Sequence, residues 1–337
     1  MKRVLVTPRS LTNGDHPAFA RLRQGGWEIV LGPKGRLPEE EELCDLVQGC
    51  VGWIAGVEPV TAKVLAAAKA LRVISRNGSG IDNIPLVDAT QRGITVLRAN
   101  GANALGVAEL TLGLALMAAR GLHLADRGLK EGVWRRSMGT ELNGRRVAVV
   151  GYGRIGQAVA RLFAAFGSVV SVIEPLDVAA EPFARVTLEF AIREAELITL
   201  HCPPSPDGQP LLSKILLSRA RPGLTLINTA RRTLVDEEGL LQQLESGRIA
   251  AYCSDVFDQA DASAAKLIAH PHVIATSHLG AFTRESVDRA ALEAVQNLLA
   301  FFEGGPTPSR PSECGSPTSR PSEDGPTSPR PSGNASH

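Results

Sequence analysis

The strongest constraint on this chain is a run of strand, turn, helix and strand between Arg146 and Glu174. The apolar segment Arg146–Val150 leads into Gly151-Tyr152-Gly153-Arg154-Ile155-Gly156, then a helical pattern over 157–166, then the apolar segment Val169–Ile173 and Glu174. Glycine at 151 permits a tight turn, glycine at 153 lets a pyrophosphate approach the backbone, and glycine at 156 lets the helix pack close to the strand. Arg154 and Ile155 lie inside the turn, where the helix N-terminus offers unpaired N–H groups to phosphate. Glu174 lies 18 residues past Gly156 and can accept hydrogen bonds from the adenosine ribose hydroxyls, while it would repel a 2′-phosphate. No Arg or Lys follows among Pro175, Leu176 and Asp177, so the pattern predicts NAD rather than NADP. It identifies a cofactor and not a reaction.

Around this run, short apolar segments alternate with helical patterns. Residues 4–7, 28–31, 52–55 and 73–75 read as strands, with helices over 40–47 and 61–69 between them. A long helical pattern covers 104–120, and after Trp134 a second series runs through Arg146–Val150, Val169–Ile173, Leu197–Leu200, Leu224–Asn228 and Ile249–Ser254. Alternation of this kind predicts an α/β protein with two Rossmann-like, doubly wound parallel-sheet domains. Periodicity leaves open whether the last helix, over 284–302, closes the second unit or crosses back to the first. Beyond Gly304 the composition turns to Pro, Ser, Thr and Gly, and a decad recurs with Arg-Pro-Ser at 310–312, 320–322 and 330–332. Such a segment buries too little surface to order itself, so 305–337 is expected to be a disordered tail, either an interaction or modification segment or an inert extension.

With 337 residues, 44% of them hydrophobic, the chain can bury a large core. Lys and Arg number 36 against 35 Asp and Glu, which leaves no excess charge to hold nucleic acid or an anionic membrane. A small-molecule partner is the expectation. Cys44, Cys50, Cys202, Cys253 and Cys314 form neither a Cys-x-x-Cys metal pattern nor a disulfide framework, as expected of reduced thiols in the cytoplasm, and no metal site is expected. The N-terminus enters a strand without the apolar stretch of a signal peptide. The most apolar stretch, 110–119, is bounded by Glu109 and Arg120 and reads as a core helix, too short to span a bilayer.

Oxidising a hydroxyl by hydride loss needs a base for its proton, and an α-carboxylate substrate needs donors or a cation to fix it. In an open α/β sheet the carboxyl ends of the strands line the ligand crevice. Arg231 follows the strand Leu224–Asn228, and His278 follows the apolar run Val273–Ala275. Arg231 can grip a carboxylate with two parallel N–H bonds, or it can be a surface arginine like its neighbour Arg232. His278 can exchange a proton near neutral pH, or simply satisfy a backbone carbonyl, and His201 after another strand is its rival. The turn Gly78-Ser79-Gly80 can present N–H groups to an anion.

Several segments in one order carry a resemblance. Arg76-Asn77-Gly78-Ser79-Gly80-Ile81-Asp82-Asn83-Ile84, Asn100-Gly101-Ala102-Asn103, Val107-Ala108-Glu109, Gly151 to Gly156, Asn228-Thr229-Ala230-Arg231, Leu234-Val235-Asp236-Glu237, Asp255-Val256-Phe257 and Ser277-His278-Leu279-Gly280 resemble the ordered signatures of D-2-hydroxyacid dehydrogenases. The resemblance implies a substrate-binding unit made of 1–101 and 284–304, with an NAD-binding unit, 102–283, inserted between its parts. It implies His278 as acid/base, Arg231 as the substrate-orienting cation, the backbone of Gly78, Ser79 and Gly80 as a carboxylate cradle, and Arg76 near the distal end of the substrate. Thr229 and Asp255 join the glycine turn and Glu174 as cofactor-binding positions, His201 becomes structural, and a homodimer forms through the region of 102–120. The implied substrate is a small 2-hydroxy or 2-oxo acid of the glyoxylate, hydroxypyruvate, phosphoglycerate or sugar-acid type. Ala55 stands where phosphoglycerate members carry a second basic residue.

The chain departs from the family pattern at one catalytic position. Where members carry a glutamate that pairs with the histidine, this sequence has Ala260, and the nearest carboxylates are Asp258 and Asp261. Asp261 is the candidate third catalytic residue if the loop is shifted; otherwise His278 works without a partner, or the protein is a weak enzyme. The same departure supports an alternative function, an NAD(H)-sensing binding protein of weak activity.

Overall fold

The computed structural model describes residues 2–257 and 262–304, excluding the side chains at 262 and 263. The first sheet contains β1 (Lys2–Val6), β2 (Trp27–Leu31), β3 (Gly52–Ala55), β4 (Val73–Arg76) and β5 (Thr95–Arg98), in the order β2-β1-β3-β4-β5 with every neighbouring pair parallel. The interior strands β3 and β4 are buried at every residue, as expected where helices cover both faces of a parallel sheet. Periodicity missed β5, because Thr-Val-Leu-Arg offers only two apolar residues between polar ones. The helix expected over 61–69 spans Ala62–Ala67: Thr61 is its N-cap, accepting a hydrogen bond from the Val64 amide, so a residue read as helical instead starts the helix.

The second sheet holds β6 (Arg146–Val150), β7 (Val169–Ile173), β8 (Ala184–Arg185), β9 (Leu197–Leu200), β10 (Leu224–Asn228), β11 (Ile249–Ser254) and β12 (Val273–Ala275). Its order is β12-β11-β10-β9-β6-β7-β8, again parallel throughout. The order reverses at β6, with β7 on one side and β9 on the other, which opens a crevice at their carboxyl ends. β8 is two exposed residues and left no apolar signal to read. The helix Ala104–Arg120 packs its Ala108, Leu114 and Ala115 into one core with Val149, Phe163 and Ile227.

The last helix, Arg284–Glu303, crosses back to the first sheet. Its Ala291, Ala294, Val295 and Leu298 share a core with Val4, Val6, Ile54, Val73 and Leu97. The Ser75 hydroxyl donates to the Ala294 carbonyl at 2.8 Å, and Asn297 Nδ2 donates to the Arg98 carbonyl at 3.1 Å. The chain therefore passes between the two sheets twice, and the loops at the carboxyl ends of both face a common cleft. The expected tail, 305–337, lies outside the described residues. Among the described residues no single helix is long and apolar enough to cross a membrane.

Candidate active site

The glycine turn divides its tasks by geometry. Gly151 has φ +88°, and a Cβ there would lie 2.7 Å from the His201 carbonyl, so its side is closed by β9. A Cβ on Gly156 would fall directly on the Gly151 carbonyl oxygen, so glycine is required for the helix Arg154–Ala165 to start where it does. Gly153 has no protein atom within 4 Å of its would-be Cβ, which leaves open the space a pyrophosphate needs beside the free N–H groups of the helix start. Glu174 at the tip of β7 accepts from the Tyr152 amide at 2.8 Å and from the Leu176 amide at 3.1 Å. Each of its oxygens keeps a lone pair for a ribose hydroxyl. Ile155 packs against the core below, whereas the Arg154 side chain reaches across to fill the space a Cβ on Gly101 would need. The residues present fit a dinucleotide.

His201 belongs to the support of this site. It is partly buried, with Nε2 2.8 Å from the Thr199 hydroxyl and Nδ1 3.4 Å from that of Thr229, which in turn sits 3.2 Å from the hydroxyl of Thr111. Burial pushes the His201 pKa down to about 3, so its ring stays neutral across the physiological range and serves as structure. Burial likewise raises the Cys202 thiol to about 11, leaving it inert at neutral pH.

A cavity of about 370 Å³ opens between the carboxyl ends of the two sheets, lined by Arg76, the turn 78–80, Asp82, Arg231 and His278 among others. Three segments far apart in sequence, 76–82, Arg231 and His278, converge here. Arg76 is 9% exposed, its Nη1 donates to the Asn77 carbonyl, and its Nε has no partner among the described residues. Burial lowers its pKa, an effect that the nearby Glu58 carboxylate opposes. The expected cradle is narrower than the sequence implied. Gly78 spends its N–H on the Arg76 carbonyl at 2.9 Å, which leaves the Ser79 and Gly80 amides without partners among the described residues. The Ser79 hydroxyl ties this turn to the crossover: it lies 3.0 Å from Asn103 Oδ1 and accepts from the Gly101 amide at 3.3 Å.

Arg231 extends from the end of β10 over this turn, and its Nη2 occupies the space a Cβ on Gly80 would need. Its Nε donates to Asp82 Oδ2 at 2.6 Å, Nη2 donates to the same oxygen, and Nη1 donates to the Ala230 carbonyl at 2.8 Å. Asp82 stands within one of the family-like segments, but nothing local in the sequence links it to a residue 149 positions away. The neighbouring Arg232 pairs with Glu237 through two bonds of 2.6 Å and is the less exposed of the two arginines.

His278 has φ +60°, the one positive φ outside glycine among the described residues. A left-handed conformation costs a side-chain-bearing residue about 1–2 kcal/mol. Asp255 holds it there. Its Oδ1 accepts from the Thr276 hydroxyl at 2.6 Å and the Leu279 amide at 2.7 Å, and its Oδ2 accepts from the Gly280 amide at 2.8 Å. Charge-assisted bonds of this kind from a residue 3% exposed offset the strain. Asp255, expected at the cofactor, thus also braces the turn that carries His278. The imidazole is exposed to the cleft and makes no hydrogen bond among the described residues. Ala260 and Asp261 lie outside the described residues.

Comparison with known proteins agrees with this geometry. Residues 112–280 match the family model described as D-isomer specific 2-hydroxyacid dehydrogenase, NAD binding domain. The chain is 36% identical over 290 residues to D-3-phosphoglycerate dehydrogenase of Rattus norvegicus, an alignment covering 84% of this chain and 54% of the relative. It is 34% identical over 268 residues to hydroxypyruvate reductase of Thermotoga maritima, covering 77% and 88%. The crystal structure of a Thermus thermophilus protein, 34% identical, superposes with a TM-score of 0.81 over 91% of this chain and 98% of that one. This chain spans about half the length of the phosphoglycerate dehydrogenases it matches.

Proposed function

Because the chain belongs to the D-isomer specific 2-hydroxyacid dehydrogenase family, we propose that it transfers a hydride between NAD(H) and a small 2-hydroxy or 2-oxo acid. The observation that carries this reading is the convergence of Arg231, the turn 78–80 and His278 on one cleft, with Gly101 linking Ser79 of that cleft to Arg154 of the dinucleotide turn. When bound, the nicotinamide supplies the hydride acceptor or donor. Gly151, Gly153, Arg154, Ile155 and Gly156 hold the pyrophosphate end, Glu174 takes the ribose, and Thr229 and Asp255 border the rest of the cofactor.

The substrate carboxylate lies between the Ser79 and Gly80 amides and the Arg231 guanidinium, so that its 2-oxo group faces His278. In reduction, the imidazolium of His278 hands its proton to the carbonyl oxygen. In oxidation, the neutral ring takes the hydroxyl proton back. Arg76 borders the far end of the cleft and favours substrates with a polar or anionic far end, such as hydroxypyruvate or a phosphorylated or sugar-derived acid. Asp261 is the carboxylate assigned to support His278 in place of the glutamate missing at Ala260.

A homodimer is proposed through the helix Ala104–Arg120 and the segment after it, where Leu122, Trp134 and Met138 are exposed. A cytoplasmic setting accords with the free Cys44, Cys50, Cys202 and Cys253. The test is turnover of NADH with glyoxylate, hydroxypyruvate and larger 2-oxo acids. NADH binding without reduction of any of them would instead make the protein a cofactor sensor.

A further inference from the structure

We propose that Asp82 is a positioning residue for the substrate carboxylate, acting through Arg231. The inference rests on the reading above that Arg231 binds that carboxylate. A guanidinium carries five N–H donors. Among the described residues, Arg231 directs Nε and one N–H of Nη2 to Asp82 Oδ2, and one N–H of Nη1 to the Ala230 carbonyl. One N–H remains on each terminal nitrogen, and together they form an edge suited to a two-point grip on a carboxylate. Without Asp82 the plane of the guanidinium could rotate on its flexible stem, and this edge would no longer face one place.

The position of Asp82 in the fold adds a second argument. The loop after β4 carries the unpartnered Ser79 and Gly80 amides and, two residues later, the carboxylate that fixes Arg231. Arg231 belongs to the other sheet, after β10. Both halves of the carboxylate site are therefore referred to one loop, and the Asp82–Arg231 pair sets their spacing across the cleft. Gly80 completes the arrangement, since any side chain there would displace the guanidinium.

A contrary effect has to be weighed. Asp82 is itself negative and could compete with an incoming carboxylate for Arg231. Its side chain is 54% exposed and that of Arg231 38%, so repulsion between solvated carboxylates is screened. A guanidinium turned out of line loses one of its two charge-assisted bonds to the carboxylate, which outweighs the screened repulsion, so the positioning effect wins. The same exposure means that the pair adds little to stability.

The two effects predict opposite signs, which makes the test direct. Oxamate, an unreactive isostere of pyruvate, reports carboxylate binding to the NADH complex without needing turnover. Asp82→Ala should raise the oxamate Kd about ten-fold, and Asp82→Asn, which keeps an acceptor oxygen, should raise it less. The Kd for NADH and the melting temperature should hold. In turnover assays the KM of the 2-oxo acid should rise with kcat changing less, and Asp82→Ala placed on Arg231→Ala should add no further loss. An unchanged or lower oxamate Kd in Asp82→Ala would overturn the proposal. Unmutated protein that binds oxamate but reduces no 2-oxo acid would overturn the enzymatic reading and leave this one standing.

Discussion

The cofactor cradle and the catalytic cleft are built on opposite plans. The cradle is nearly contiguous: the contacts that fix Gly156 and Glu174 lie within 151–174, Gly151 is closed by the residues just after β9, and the critical distances are set by missing Cβ atoms. The cleft is assembled from loops after β4, β10 and β12, and its central pair joins residues 149 positions apart. A contiguous site fails when its backbone fails, whereas an assembled site can lose one side chain and keep its shape. The two should respond differently to substitution.

The largest effect belongs to the cleft. His278→Ala should lower turnover by about 10²–10⁴-fold while the Kd for NADH holds, because the role proposed for the residue is proton exchange with the substrate oxygen and it has no part in the cradle. Fluorescence titration beside steady-state rates decides this, and intact turnover would mean the wrong acid/base has been named. In the cradle, Gly156→Ala should cost on the order of 3 kcal/mol of stability and abolish NADH binding, since the new methyl meets a carbonyl oxygen that cannot move without the turn. Gly153→Ala sharpens the contrast. With open space around it, it should leave the melting temperature in place and weaken NADH alone.

Acid should act on the support beneath the cradle. His201 is held at about 3, below its ordinary value of 6.5, so the unfolded chain takes up the proton first. Its contribution to stability is whole above pH 6.5 and declines by about 1.4 kcal/mol per pH unit as pH falls from there toward 3. Denaturant melts across this window should show that slope, and His201→Gln should flatten it; equal slopes in both proteins would exclude His201 as the source.

Smaller again is the effect at Glu174, where a like charge against a 2′-phosphate costs on the order of 1 kcal/mol. Glu174→Ala should narrow the preference for NADH over NADPH several-fold, and equal kcat/KM for both cofactors in the unmutated protein would contradict the assignment. Removal of 305–337 should change least, because a segment of that composition buries little surface, and melting temperature with turnover measures it directly.

Legibility followed the same division. The strands β6, β9, β10 and β11 are legible at their true bounds because their apolar runs are buried on nearly every residue, and β7, buried only at Val170 and Val172, is legible because it is apolar at four of five positions. Short or polar-flanked strands such as β5 and β8 lacked that signal. Arg231 and His278 were found by asking what lies just after a strand, a rule about position. Asp82, the support that Asp255 gives to the His278 turn, and the loss of the Gly78 amide to Arg76 had no such rule.

By itself the sequence determined the two α/β units and the dinucleotide turn, because periodicity, glycine spacing and the following acid are properties of neighbours along the chain. Periodicity left the return of the last helix open and only the family resemblance implied it, while the tertiary structure alone decided that the Gly78 amide is spent, leaving those of Ser79 and Gly80 without partners among the described residues, and that Arg231 is held from across the cleft. Those features depend on which surfaces bury one another and which donors are already spent, and both are settled only when distant segments meet.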